Sequence, residues 1–171
     1  MFLDLINLDK IRRAVLYLFC IIVALWLQTM VFSRIAPLGV KPFFLPVVIV
    51  AIGLWESGVW GAVLGLIAGL YTDMAMVEST VTFLILFSLY GFVSGVLGEF
   101  VINRRFVSYM ILAALALLST AACQVIPLWI FRGAALENLL PIALLQSAWG
   151  YPLAVPAYFA AKAISGRRRL S

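Results

Sequence analysis

Gly61, Gly65, Gly69 and Asp73 recur every four residues inside an apolar stretch, so on one helix they form a stripe without side chains that ends in a carboxylate. In lipid, where helices gain no hydrophobic drive from one another, such a groove lets a neighbouring helix approach backbone to backbone. Asp73 predicts the helix end, because a charge at the bilayer centre costs about 3 kcal/mol on insertion scales.

Composition selects lipid over water as the solvent. Of 171 residues 65% are hydrophobic and 11% charged, and the mean hydropathy is +1.15, far from a soluble domain. Six spans of about 20 residues with short loops use up this length. The expected fold is therefore all-α and polytopic, a single integral membrane domain with no separate module to catalyse a reaction or read nucleic acid.

The net charge of +5 is explained by position. Lys10, Arg12 and Arg13 precede the first apolar run, Arg104 and Arg105 follow the fourth, and Lys162, Arg167, Arg168 and Arg169 close the chain. With six spans these nine fall on one side and only Arg34, Lys41 and Arg132 on the other. The positive-inside rule then puts both termini in the cytoplasm. The basic groups read as topology anchors first, and as contacts to anionic lipid or a cytoskeletal partner second.

The expected spans are 14–32, 43–55, 59–72, 80–98, 107–131 and 139–164. The first follows a basic segment but shows no small-residue cleavage pattern, so it reads as a retained span rather than a signal peptide. Residues 1–13 fit either a short interfacial helix or a solvated lead-in. The second and third spans are short. The third, at 14 residues, reaches roughly 21 Å against a hydrocarbon core of about 30 Å, which fits either a protein-lined helical hairpin or a re-entrant pair. A second small-residue stripe, Ser88, Gly91, Gly95 and Gly98, marks the fourth span, while Pro141, Pro152 and Pro156 predict a break in the last.

No catalytic constellation emerges. Histidine is absent, Cys20 and Cys123 lie in apolar runs, and the glycines lack the lysine of a phosphate loop. No cofactor or metal is expected. Glu56, Asp73, Glu78 and Glu99 all fall at span ends, which removes the midplane carboxylate of a proton relay. Gln28, Gln124 and Gln146 are intramembrane polar groups suited to interhelical hydrogen bonds; convergence with Trp149 and Tyr151 would make them a pocket lining. The glycine stripe itself has two uses: packing against Gly91 and Gly95 of the same chain, or an open face that receives a single-span partner.

The residue order from Leu27 and Gln28, through Gly39, Val40, Lys41 and Pro42, to Gly61, Gly65, Ala68, Gly69, Leu70 and Asp73, then Tyr90 and Gly95, resembles the MreD family of bacterial rod-shape-determining membrane proteins. In place of the family's glycines soon after the aspartate this chain has Val77, Glu78, Ser79, Thr80 and Val81. The resemblance implies a non-enzymatic scaffold of the elongation machinery in the bacterial inner membrane, associating with the bitopic protein MreC and through it with MreB, RodA and a cell-wall transpeptidase. It also implies a fold related to the substrate-binding S subunits of energy-coupling-factor vitamin transporters. Such a subunit is the alternative reading, weakened because span 1 lacks the Ala-xxx-Ala face by which many of them meet their partner.

Overall fold

A computed structural model describes residues 8–31, 34, 42–75, 82–100, 105–133 and 135–166. Arg104, Arg167, Arg168, Arg169, Lys41, Glu78 and the 77–81 turn lie outside the described residues. Every regular element among the described residues is helical: α1 (Leu8–Trp26) with a π-helical extension (Leu27–Val31), α2 (Leu45–Trp55), α3 (Gly58–Ala75), α4 (Thr82–Phe100), α5 (Phe106–Arg132), α6 (Leu136–Gly150), a 3₁₀ turn (Tyr151–Leu153) and α7 (Ala154–Gly166). Four segments are long and apolar enough to cross a bilayer: Ile11–Val31, Gly58–Ala75, Thr82–Phe100 and Phe106–Ile130. The chain is a multi-pass helical membrane protein. Its lipid-side surface is correspondingly apolar, with Val15, Phe19, Val59, Ile85 and Ile111 all exposed.

The second and last expected spans take different forms. α2 has 11 residues, about 16 Å of helix, yet every residue from Leu45 to Leu54 is buried. It packs against α1, α3, α4, α5 and α7. A helix that is apolar all round belongs at a centre, and one lined by protein need not match the lipid thickness. The last expected span is divided at Tyr151–Leu153. Pro152 lacks the N–H that would continue α6, whereas Pro156 sits in the first turn of α7, where no intrahelical donor is needed.

Third, α3 is longer than the sequence suggests. Its 18 residues begin at Gly58 and continue past Asp73 to Ala75, so Asp73 does not stop its own helix. The carboxylate is satisfied elsewhere, as described below, and the helix therefore tolerates it within the last turn.

Close backbone approach holds the centre together. Climbing α3 through Gly61, Gly65 and Gly69 matches descending α4 through Gly91, Phe87 and Phe83, an antiparallel pairing that advances by four residues on each side. A Cβ on Gly61 would run into the Gly91 carbonyl, and a Cβ on Gly91 into the Gly61 carbonyl; on Gly65 it would meet the Phe87 carbonyl, and on Gly69 the Leu84 Cα at 2.5 Å. At the next step a Cβ on Gly95 would lie 2.5 Å from the Gly58 Cα. α2 joins the same contact, since a Cβ on Gly61 would lie 3.0 Å from the Gly53 Cα. Gly53 in turn leaves room for the Ser94 hydroxyl, and Gly98 for the Leu54 carbonyl. α4 thus offers two small-residue faces, Gly91 and Gly95 to α3, Ser94 and Gly98 to α2.

At one end of the bundle Phe43 before α2 meets Phe83 and Phe87 of α4, with ring centroids 5.4 and 6.0 Å away. At the other, Tyr158 of α7 lies 5.8 Å from Trp55 and 5.2 Å from both Phe106 and Tyr109. The glycine contacts admit no methyl group, so Gly91→Ala should lower the unfolding free energy by about 1–3 kcal/mol, the usual cost of overpacking. Gly166→Ala, where an added Cβ meets nothing within 4 Å, should stay within about 1 kcal/mol of wild type; thermal or denaturant unfolding in detergent compares the two.

Candidate functional site

Asp73 lies on the face of α3 that carries Gly61, Gly65 and Gly69, one turn further along, and so reaches the point where α4 begins. Its two carboxylate oxygens accept hydrogen bonds from the backbone N–H groups of Phe83 (3.2 Å) and Leu84 (2.8 Å). These donors belong to the first turn of α4, whose amides have no partner within their own helix. The carboxylate is thus a tertiary N-cap, adding the favourable interaction of a negative charge with the positive end of the helix dipole. The stripe and its terminal acid form one device: glycines bring α4 against α3, and Asp73 fixes how far along.

All three stripe glycines are buried, and the groove they leave is filled by α4. The structure brings Gly61, Gly65, Gly69, Asp73, Gly91 and Gly95 into a single internal seam. The other side of α3 is open, with Trp60, Val63, Ile67 and Tyr71 exposed.

The intramembrane glutamines divide. Gln124 of α5 and Gln146 of α6 converge with Thr120, Ser147 and Phe43 on a cleft of about 10 Å³, the free volume of a single water molecule. Trp149 and Tyr151 stay outside it, exposed on the surface. Gln28 stands apart in the π-helical turn of α1, with its amide oxygen buried. Beside it Thr29 donates its hydroxyl to the Leu25 carbonyl at 2.8 Å, the kind of back-bond that bends a helix.

Other polar groups pin helices together. Tyr109, wholly buried on α5, donates to the Val47 carbonyl of α2 at 3.2 Å. The Ser119 and Thr120 hydroxyls donate to backbone carbonyls of their own helix. Tyr90 of α4 therefore donates its single hydroxyl proton to the nearer of them, Ser119 at 2.6 Å, with the Thr120 hydroxyl 3.0 Å away.

Of the basic anchors, Arg13 pairs with Glu56 in the α2–α3 turn at 3.0 Å, with both side chains mostly shielded. Arg12, Arg105 and Lys162 are exposed. The contacts of Arg13 with Glu56 and of Phe106 with Tyr158 gather these residues at the same end of the bundle. Among the described residues no group of three His, Cys, Asp or Glu could hold a metal ion.

Gly53, Ser94 and Tyr109 carry central contacts that sequence reading passed over. The spacing of Ser94 and Gly98 by four was visible, but its partner Gly53 is a lone glycine in an apolar run, with nothing local to mark it. The architecture is that of a multi-pass helical membrane protein whose α2, α3 and α4 meet in close backbone contact. Compared with known proteins, the chain matches no family model, no curated protein and no solved structure.

Removing the Asp73 clasp should free the start of α4. Asp73→Ala should destabilise the protein by about 1–2 kcal/mol and speed hydrogen exchange at the Phe83 and Leu84 amides, with Asp73→Asn intermediate because it keeps an acceptor but loses the charge.

Proposed function

We propose that this chain is a non-enzymatic scaffold of the bacterial elongation machinery, an inner-membrane protein of the MreD kind. Its partners in this reading are the bitopic protein MreC and, through it, MreB, RodA and a cell-wall transpeptidase. The observation that carries the reading is the closed α2–α3–α4 centre: backbone contacts occupy it, and the cleft between Gln124 and Gln146 has room for about a single water. Apolar outward faces are the surface available for work, which in a bilayer means contact with other helices and lipid. The alternative S subunit needs a vitamin-sized site, and small-molecule pockets run to about 300 Å³ or more. The cleft volume favours the scaffold.

In this reading the chain crosses the membrane six times, with both termini in the cytoplasm. α2 makes its crossing inside the bundle, and α6 with α7 makes the last around the break. The partner's span docks on an outward face, since α4 occupies the stripe.

Purification from a rod-shaped bacterium followed by native mass spectrometry tests the function. A single-span protein with an extracytoplasmic coiled coil should co-purify; a stoichiometric small vitamin would replace the scaffold reading by the S subunit. Topology has its own readout. An impermeant thiol reagent added to intact cells, with Cys20 and Cys123 replaced, should label the Arg34→Cys variant and leave Arg105→Cys unlabelled until the membrane is opened.

A further inference from the structure

We propose that the seam between α5 and α7, at the end of the bundle marked by Arg105 and Lys162, binds the headgroup of an anionic phospholipid. The inference stands apart from the identity of any protein partner.

Tyr158 is the fixed point of the seam. It is 5% exposed and is clamped by Trp55, Phe106 and Tyr109 at ring-centroid distances of 5.8, 5.2 and 5.2 Å. One helical turn further out, the Lys162 ammonium lies 6.0 Å from the centroid of the Tyr158 ring, within the range of a cation–π contact. The lysine is thus held over the seam by an aromatic face rather than by a carboxylate. Across the seam Arg105, exposed, immediately precedes Phe106 at the start of α5.

Neither cation forms an ion pair among the described residues. The pair observed there, Arg13 with Glu56, ties the Glu56 carboxylate to α1. Glu99 stands on α4, outside the α5–α7 pair. Two positive side chains therefore face the membrane surface without a neutralising acid from the seam itself, and an anion complements them.

What lies beneath them distinguishes lipid from a soluble anion or an acidic peptide. Phe106 and Phe159 stack at 6.4 Å with 27° between their planes, and they are 38% and 56% exposed. Val155, one turn from Phe159 on the same face of α7, continues the exposed apolar strip toward the hydrocarbon. A cationic rim above a lipid-facing aromatic floor matches a phosphate above its acyl chains. Basic pockets between helices at the cytoplasmic surface recognise headgroups in this way.

The test uses the full chain, reconstituted in vesicles that mix phosphatidylglycerol with phosphatidylcholine, extracted in mild detergent and read by native mass spectrometry. Wild type should retain a phosphatidylglycerol in preference to phosphatidylcholine. Lys162→Gln alone should reduce that retention about fivefold, and the pair Lys162→Gln with Arg105→Gln more than tenfold. Phe159→Ala, which leaves the charge unchanged, should also weaken it. Arg12→Gln on α1 should leave it intact. The proposal is overturned if Lys162→Gln and the double variant hold lipid as wild type does, or if Arg12→Gln lowers retention as much as they do. It is equally overturned if an acidic peptide displaces the lipid from wild type, since the seam would then be a protein-docking surface.

Discussion

The meeting of Gly53, Gly61 and Gly91 is the constraint on which the rest of the bundle depends. Three helices converge there with no side chain between their backbones, so α2, α3 and α4 become one unit before any larger residue is placed. Lipid tails solvate leucine as well as another leucine does, and association has to come from dispersion and short carbonyl contacts. Reciprocal approach of the Gly61 and Gly91 carbonyls to the opposite α-carbons provides both. Once this unit exists, α2 is enclosed on one flank, and α1, α5 and α7 close around the other.

Enclosure explains how an 11-residue helix can belong to a membrane domain. A short helix facing lipid would thin the bilayer around it. One lined by protein only has to fit its neighbours, and the chain's polar hydroxyls are used for that fit. Tyr109 donates to the backbone of α2, and Tyr90 ties α4 to α5. Asp73 serves the same end at the tip of α3, where its charge meets free amides instead of hydrocarbon. These polar groups thus serve the packing of one helix on another, and the proposed contacts with partner and lipid lie on the outer faces and the charged end of the bundle.

Much of this was legible in the sequence, and the limits of that reading are physical. The four-residue period of Gly61, Gly65, Gly69 and Asp73 puts them on one helical face whatever surrounds it, because helix geometry is local. Period alone could not say what occupies the groove. Nor could it extend α3 beyond Asp73: a carboxylate near a lipid-embedded helix end reads as a stop unless its acceptors are known to be filled by Phe83 and Leu84. The convergence of Gln124 with Gln146, and the separation of both from Gln28, depend on how three helices are rotated about their axes. That rotation is set by packing among distant segments.

By itself, then, the sequence determined the solvent, the helical class, the approximate positions of the apolar segments, the basic clusters and the stripe, since apolar length, charge and helical period act over one segment at a time. Only the tertiary structure decided that α2 is the buried axis, that Gly65 faces α4 of its own chain, that Asp73 caps a helix other than its own, and that Lys162 rests over Tyr158. Each of these joins residues from separate helices. Such contacts exist only after backbones have approached closely enough for dispersion and carbonyl geometry to choose among the many pairings an apolar chain allows.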